Sequence, residues 1–167
     1  MSFTVTDDLE PPRMTPAVRW LISINVVVYF LQMTMIDRAD IQAGLGFHVR
    51  DLTDQWWTVL TYMFVHGNFL HIFFNMYALW LFGRRVEHAW NPRSFALYYV
   101  WCGLGAWLLH LMMTRDGTLV GASGAVYGVM LAYAMRWPDD EVLFFLIPVK
   151  VKWLVAGLAA FDLLRGL

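Results

Sequence analysis

Apolar residues in this chain gather into long runs, and no strict alternation of apolar and polar positions competes with them. Residues 17–36 hold one charge, Arg19, close to their start, whereas residues 37–54 are polar and mixed in charge and read as a loop. The apolar stretch 55–83 is too long for one membrane crossing and breaks at His66-Gly67-Asn68. That break predicts a partly embedded loop segment, 56–65, followed by the start of a second span, 69–83. Residues 95–113 predict a third span with His110 as its polar outlier. Residues 119–135 predict a fourth; it is short and rich in Gly and Ala, so it should pack centrally. The core of a fifth, 153–164, is entered through an irregular stretch, 142–152, interrupted by Pro148, Lys150 and Lys152. Each span is read as a helix because unpaired backbone groups are too costly in lipid, and the alternation of a membrane barrel is absent. The expected fold class is all-α, a polytopic membrane helix bundle with five transmembrane helices. The expected organisation is a cytoplasmic segment, 1–16, and one transmembrane domain, 17–167.

Composition supports this picture. Of the 167 residues, 59% are hydrophobic and 15% charged, against about 45–50% and about 25% in soluble domains. A net charge of −1 argues against a nucleic-acid footprint. The single cysteine, Cys102, excludes an internal disulfide and a multi-cysteine metal site. Residues 1–13 are polar and acidic and do not read as a secretory signal.

Counting Lys and Arg by loop sets the orientation. With the N-terminus inside, eight fall inside (Arg13, Arg19, Arg84, Arg85, Arg93, Arg136, Lys150, Lys152) and four outside (Arg38, Arg50, Arg115, Arg165). The expectation is a multi-pass protein with a cytoplasmic N-terminus, in a prokaryotic cytoplasmic membrane. Trp20, Trp57, Trp90, Trp137 and Trp153 lie near span ends, as an aromatic belt requires.

In that orientation two polar groups meet at one membrane face. His71 and Asn75 are four residues apart near the outer end of span two, so they share a helix face. Gly121-Ala122-Ser123-Gly124 lies at the outer end of span four, where small neighbours let a substrate or another backbone approach the hydroxyl. Imidazole and amide groups at membrane depth point to function. Together they fit a hydroxyl nucleophile with donors aimed at a developing oxyanion. Blander readings stay open. Gly124-x3-Gly128 and Gly121-x3-Ala125 fit small-residue helix packing. His66 and His71 form a poor zinc pair, because a five-residue offset on one helix points them to different faces. His66 alone fits a loop brace, His110 an interfacial role, and His48 and His88 have no evident partner. Asp162 pairs with Arg165 or sits at the interface.

These residues resemble the rhomboid family of intramembrane serine proteases. The likeness starts at Trp57, runs through Thr61, Phe64, His66, His71, Asn75, Gly83 and Glu87, and resumes at Gly121, Ser123, Gly124 and Tyr127. Residues 147–153 also look family-like. The resemblance implies a rhomboid-like bundle in which Ser123 attacks a peptide carbonyl in or near a substrate's transmembrane segment. It implies His71 and Asn75 as oxyanion donors, and Gly121 as the residue allowing close approach behind the nucleophile. Tyr127, one turn below Ser123, would stack on the catalytic histidine; His66 would hold the first outer loop, and Glu87 would anchor the inner end of span two. It further implies no cofactor, no metal and no nucleic acid, with single-span membrane-protein substrates and the lipid bilayer as partners.

The sequence departs from the family pattern twice. Where the family often pairs the Trp with an Arg, this chain has Trp57-Thr58. The family's general base is a histidine on a sixth span, and here no histidine follows Ser123. Serine at its free pKa needs a base within reach, so these 167 residues alone are expected to be close to inactive, with the base supplied beyond them. The alternatives are a non-catalytic relative that binds client transmembrane helices, and a transporter or channel, which predicts a polar stripe on several spans.

Overall fold

The computed structural model describes residues 14–34, 38–114, 117–144 and 147–166, with side chains at all of these but 38, 144 and 161–166. The acidic segment 1–13, Arg115 and the Asp162–Arg165 pairing lie outside what is described. The chain forms α1 (Pro16–Thr34), α2 (Arg38–Leu45), β1 (Phe47–His48), a short 3-10 turn (Val49–Asp51), α3 (Thr58–Thr61) and a second 3-10 turn (Tyr62–Phe64). There follow α4 (Phe69–Trp90), α5 (Pro92–Met113), β2 (Thr118–Leu119), α6 (Ser123–Arg136), β3 (Glu141–Phe144), β4 (Ile147–Lys150) and α7 (Val151–Gly166). The all-α class holds, with two small antiparallel ribbons added. In one, Phe47 pairs with Leu119 and His48 with Thr118; in the other, Glu141 pairs with Lys150 and Phe144 with Ile147.

Helix α1 is organised inside-out relative to a helix in water. Its buried positions are Val18 and two amides, Asn25 and Gln32. Trp20, Ile24, Val26, Val27, Phe30 and Met33 are exposed. Apolar groups outward and amides inward is the arrangement a hydrocarbon solvent selects. Helix α6 occupies the centre, packed on α4, α5 and α7, and it buries Ala125, Val126, Val129, Met130, Ala132, Tyr133 and Ala134. Side chains built at Gly124 and Gly128 would run into Ala106 and Cys102 of α5. The small-residue spacing of these two glycines therefore brings two backbones together.

Three expectations change. The region 37–54 is not a plain loop but contains α2, β1 and a 3-10 turn; Phe47 of β1 finds its partner 72 positions later in Leu119, a pairing no local pattern reveals. The stretch 142–152 is not irregular: it is a hairpin running into α7, with Pro148 opposite Leu143 in a two-stranded ribbon, where an edge tolerates proline. Among the described residues, two helices, α1 and α5, are long and apolar enough to cross a membrane. Helix α4 loses its apolar character at Arg84, Arg85 and Glu87. Helix α6 has 14 residues, about 21 Å of rise against about 30 Å of hydrocarbon.

Candidate active site

Asn68 precedes the apolar run of α4 in extended conformation, and its side chain accepts the His71 backbone N–H at 2.9 Å. This N-cap starts the helix and places His71 in its first turn. Asn75 follows one turn later, buried, with its amide donating to the His71 carbonyl at 2.9 Å. On the other side, Gly121 adopts φ +105°, a conformation that favours glycine, and α6 begins two residues on at Ser123. The Gly121 N–H donates to the Tyr62 carbonyl at 2.9 Å, which ties this turn to the embedded segment after α3.

The two elements meet through the His71 ring. A Cβ at Gly121 would lie 2.5 Å from His71 Cε1 and 2.6 Å from Nε2. Gly121 thus does not serve helix packing, as its spacing to Ala125 allowed; it makes room for the imidazole. His71, Asn75, Ser123 and Tyr127 all line one cavity of about 750 Å³, closed on the far side by Leu154 and Leu158 of α7. Tyr127 also donates to the Leu158 carbonyl at 3.5 Å. Because Ser123 opens α6, the site lies at a helix N-terminus, where the first N–H groups lack intrahelical acceptors and favour negative charge.

His66 stands behind this cavity rather than in its lining. It is fully buried, and its ring meets the His71 ring edge-on at 5.0 Å with an interplanar angle of 67°. The helical offset reasoning separated these two rings; it does not apply, because His66 precedes α4 and the chain turns at Gly67-Asn68. Burial lowers the His66 imidazole to about 4, with the neighbouring His71 adding to the effect. Its backbone is gripped by Gln32 of α1: the His66 N–H donates to Oε1 at 3.2 Å, and Nε2 donates to the His66 carbonyl at 3.4 Å. Glu87 lies far along α4 from the site, where it accepts from Thr15 Oγ1 at 2.5 Å, the Ala17 N–H at 2.9 Å and the Val18 N–H at 2.8 Å.

Sequence reasoning missed the Gln32 clamp and the Asn68 cap. An asparagine directly before an apolar run was a readable signal for the cap, and an amide within a span was a readable signal for the clamp. His48, read as partnerless, faces Thr118 Oγ1 at 3.0 Å and the Gln42 carbonyl at 3.3 Å. The His110 ring stands edge-on to Phe47 at 6.2 Å. Among the described residues, no three His, Cys, Asp or Glu side chains gather into a metal-binding group.

A family model for the Rhomboid domain matches residues 53–167. The chain is 28% identical over 145 residues to "Rhomboid-like protein 11, chloroplastic" of Arabidopsis thaliana, covering 84% of this chain and 50% of that protein. It is 29% identical over 133 residues to "Rhomboid protease AarA" of Providencia stuartii, covering 67% and 47%. With "Putative rhomboid protease YdcA" of Bacillus subtilis it shares 24% identity over 124 residues, 72% of this chain and 62% of that one. The chain belongs to the rhomboid family, a family of membrane proteins that includes intramembrane proteases. It spans about half the length of the first two of these relatives.

Proposed function

We propose that this chain carries the nucleophile and oxyanion site of an intramembrane serine endopeptidase that cleaves peptide bonds in or near transmembrane segments. The observation that carries the reading is the convergence of His71, Asn75 and Ser123 on one cavity at the start of α6. Ser123 Oγ attacks the peptide carbonyl; His71 and Asn75, with backbone N–H groups around Ser123, stabilise the oxyanion. Tyr127 offers a ring one turn below the nucleophile. The general base is a histidine beyond Leu167, since all five histidines of this chain precede Ser123. In this reading α1, α4, α5, α6 and α7 are the five spans, the N-terminus is cytoplasmic, and the membrane is a prokaryotic cytoplasmic one. Substrates are single-span membrane proteins cut near the outer face, and neither a metal nor a cofactor takes part.

A relative that is named only as rhomboid-like leaves a second reading open, in which the protein binds client transmembrane helices without cutting them. Sequencing the gene past Leu167 and assaying the full product against a single-span reporter separates the two. Cleavage that disappears in Ser123→Ala, and drops by about 10²–10³-fold in His71→Ala or Asn75→Ala, supports the protease. Cleavage that persists in Ser123→Ala removes this serine from the mechanism.

A further inference from the structure

The proposed oxyanion donor stands between two neighbours. One is Gly121, whose bare backbone meets the Cε1–Nε2 edge of the His71 ring. The other is His66, whose ring meets it edge-on at 5.0 Å. His66 is itself held on every side. Gln32, also buried, grips its peptide group at the N–H and the carbonyl. Its Nδ1 lies 3.4 Å from the Phe64 carbonyl, and a carbonyl only accepts, so the hydrogen of the neutral ring sits on Nδ1. Its Nε2 is buried and has no protein partner among the described residues. The Gly67 side offers no rival support, since a Cβ there would find only His71 Nδ1, at 3.9 Å.

We propose that His66 is a positioning residue for His71: its clamped ring holds the His71 imidazole against Gly121, beside the cavity that His71 and Ser123 both line. The idea rests on the protease reading for its catalytic consequence, but the positioning itself is a property of the two rings. Gln32 then connects α1 to the oxyanion donor through the His66 peptide group. Misplacing a reacting group by about 1 Å costs on the order of 10² in rate, so a freely turning His71 would lower kcat and leave KM nearly unchanged.

Three substitutions separate ring from volume. His66→Phe keeps an edge-on ring, His66→Leu keeps volume without one, and His66→Ala keeps neither. In protein carrying labelled histidine, with His71 assigned through His71→Gln, ring NMR signals of His71 are expected to be single and narrow in wild type and His66→Phe. They are expected to be broadened or averaged in His66→Leu and His66→Ala. In the full gene product, kcat of His66→Leu is expected to fall about 10–10²-fold with KM within twofold, and His66→Phe to recover most of it. Unchanged His71 signals in His66→Leu overturn the proposal, as does a Leu variant that turns over like wild type. If His66→Ala does not fold, the Leu and Phe comparison still decides. A wild type that shows the ordered His71 ring but never cleaves leaves the positioning intact and refutes the protease reading alone.

Discussion

The two ends of α4 use their polar side chains in opposite ways. At the Glu87 end, Glu87 and Arg85 bind into the fold. The Glu87 carboxylate takes three donors, two of them the first free N–H groups of α1, and so caps that helix from outside. Arg85 bonds Asp140 and donates to Tyr133 Oη at 3.1 Å, and its guanidinium lies 4.4 Å over the Trp137 ring. This ties α4 to the turn that leads into α7, because the Asp140 carbonyl accepts the Val151 N–H at 2.9 Å. At the Ser123 end the same helix lines an open cavity, and His71 is held by ring contact and by the absence of a side chain at Gly121. Hydrogen bonds hold the bundle together at one end, whereas at the other the groups that the proposed function assigns to a reactant are kept in place largely by shape.

The sharpest way to break this division is to fill the space at Gly121. Gly121→Ala places a methyl within 2.5 Å of His71 Cε1, on a backbone at φ +105°. The expected result is a fall of about 10²–10³-fold in kcat of the full gene product, with a smaller change in the unfolding midpoint. A large loss of stability with normal turnover of the surviving fraction would reverse the assignment. At the other end the effects should exchange. Glu87→Gln is expected to destabilise the fold by about 3 kcal/mol, by weakening charge-assisted bonds to three donors, two of them buried, while kcat per folded molecule stays within about twofold. Reversible unfolding in mixed micelles measures the first, and active-site titration normalises the second.

A third test uses pH. His66 is neutral in the folded protein down to about 4, because burial penalises its charge, while an unfolded chain protonates it near 6.5. Between those values the unfolded state binds more protons, so stability should fall as pH drops through about 6.5 to about 4, by up to roughly 3 kcal/mol. His66→Phe should flatten that slope, and an unaltered slope in the variant would place its origin elsewhere. The smallest effect is expected at Asp139, an exposed carboxylate held below its usual range by Lys152 and Lys150. Asp139→Asn should leave both the unfolding midpoint and turnover within experimental error, since exposed ion pairs contribute little.

Much of the bundle was legible because a long apolar run in lipid has one cheap solution; the boundaries of α1 and α5 fall close to the runs themselves, whereas α4 continues past residue 83 to Trp90 and α6 begins only at Ser123. His71 and Asn75 were legible as candidates from their four-residue spacing, and Ser123 from its small neighbours. The hairpin before α7 was not, because Pro148 and two lysines read locally as interruption, and only the facing strand shows that a ribbon accommodates them. Gly121 was legible as a small residue but not in its purpose; packing and ring clearance ask for the same residue, and a neighbour 50 positions away decides between them.

By itself, the order of residues determined that the chain is a helical membrane protein of the rhomboid family, because hydrocarbon burial and motif spacing are local properties. Tertiary structure alone decided that His66 touches His71, that Gln32 of α1 holds His66, and that Glu87 caps α1 across 70 residues. Such contacts depend on where helices cross, and a crossing is settled by the summed packing of many side chains, which no single stretch of sequence contains.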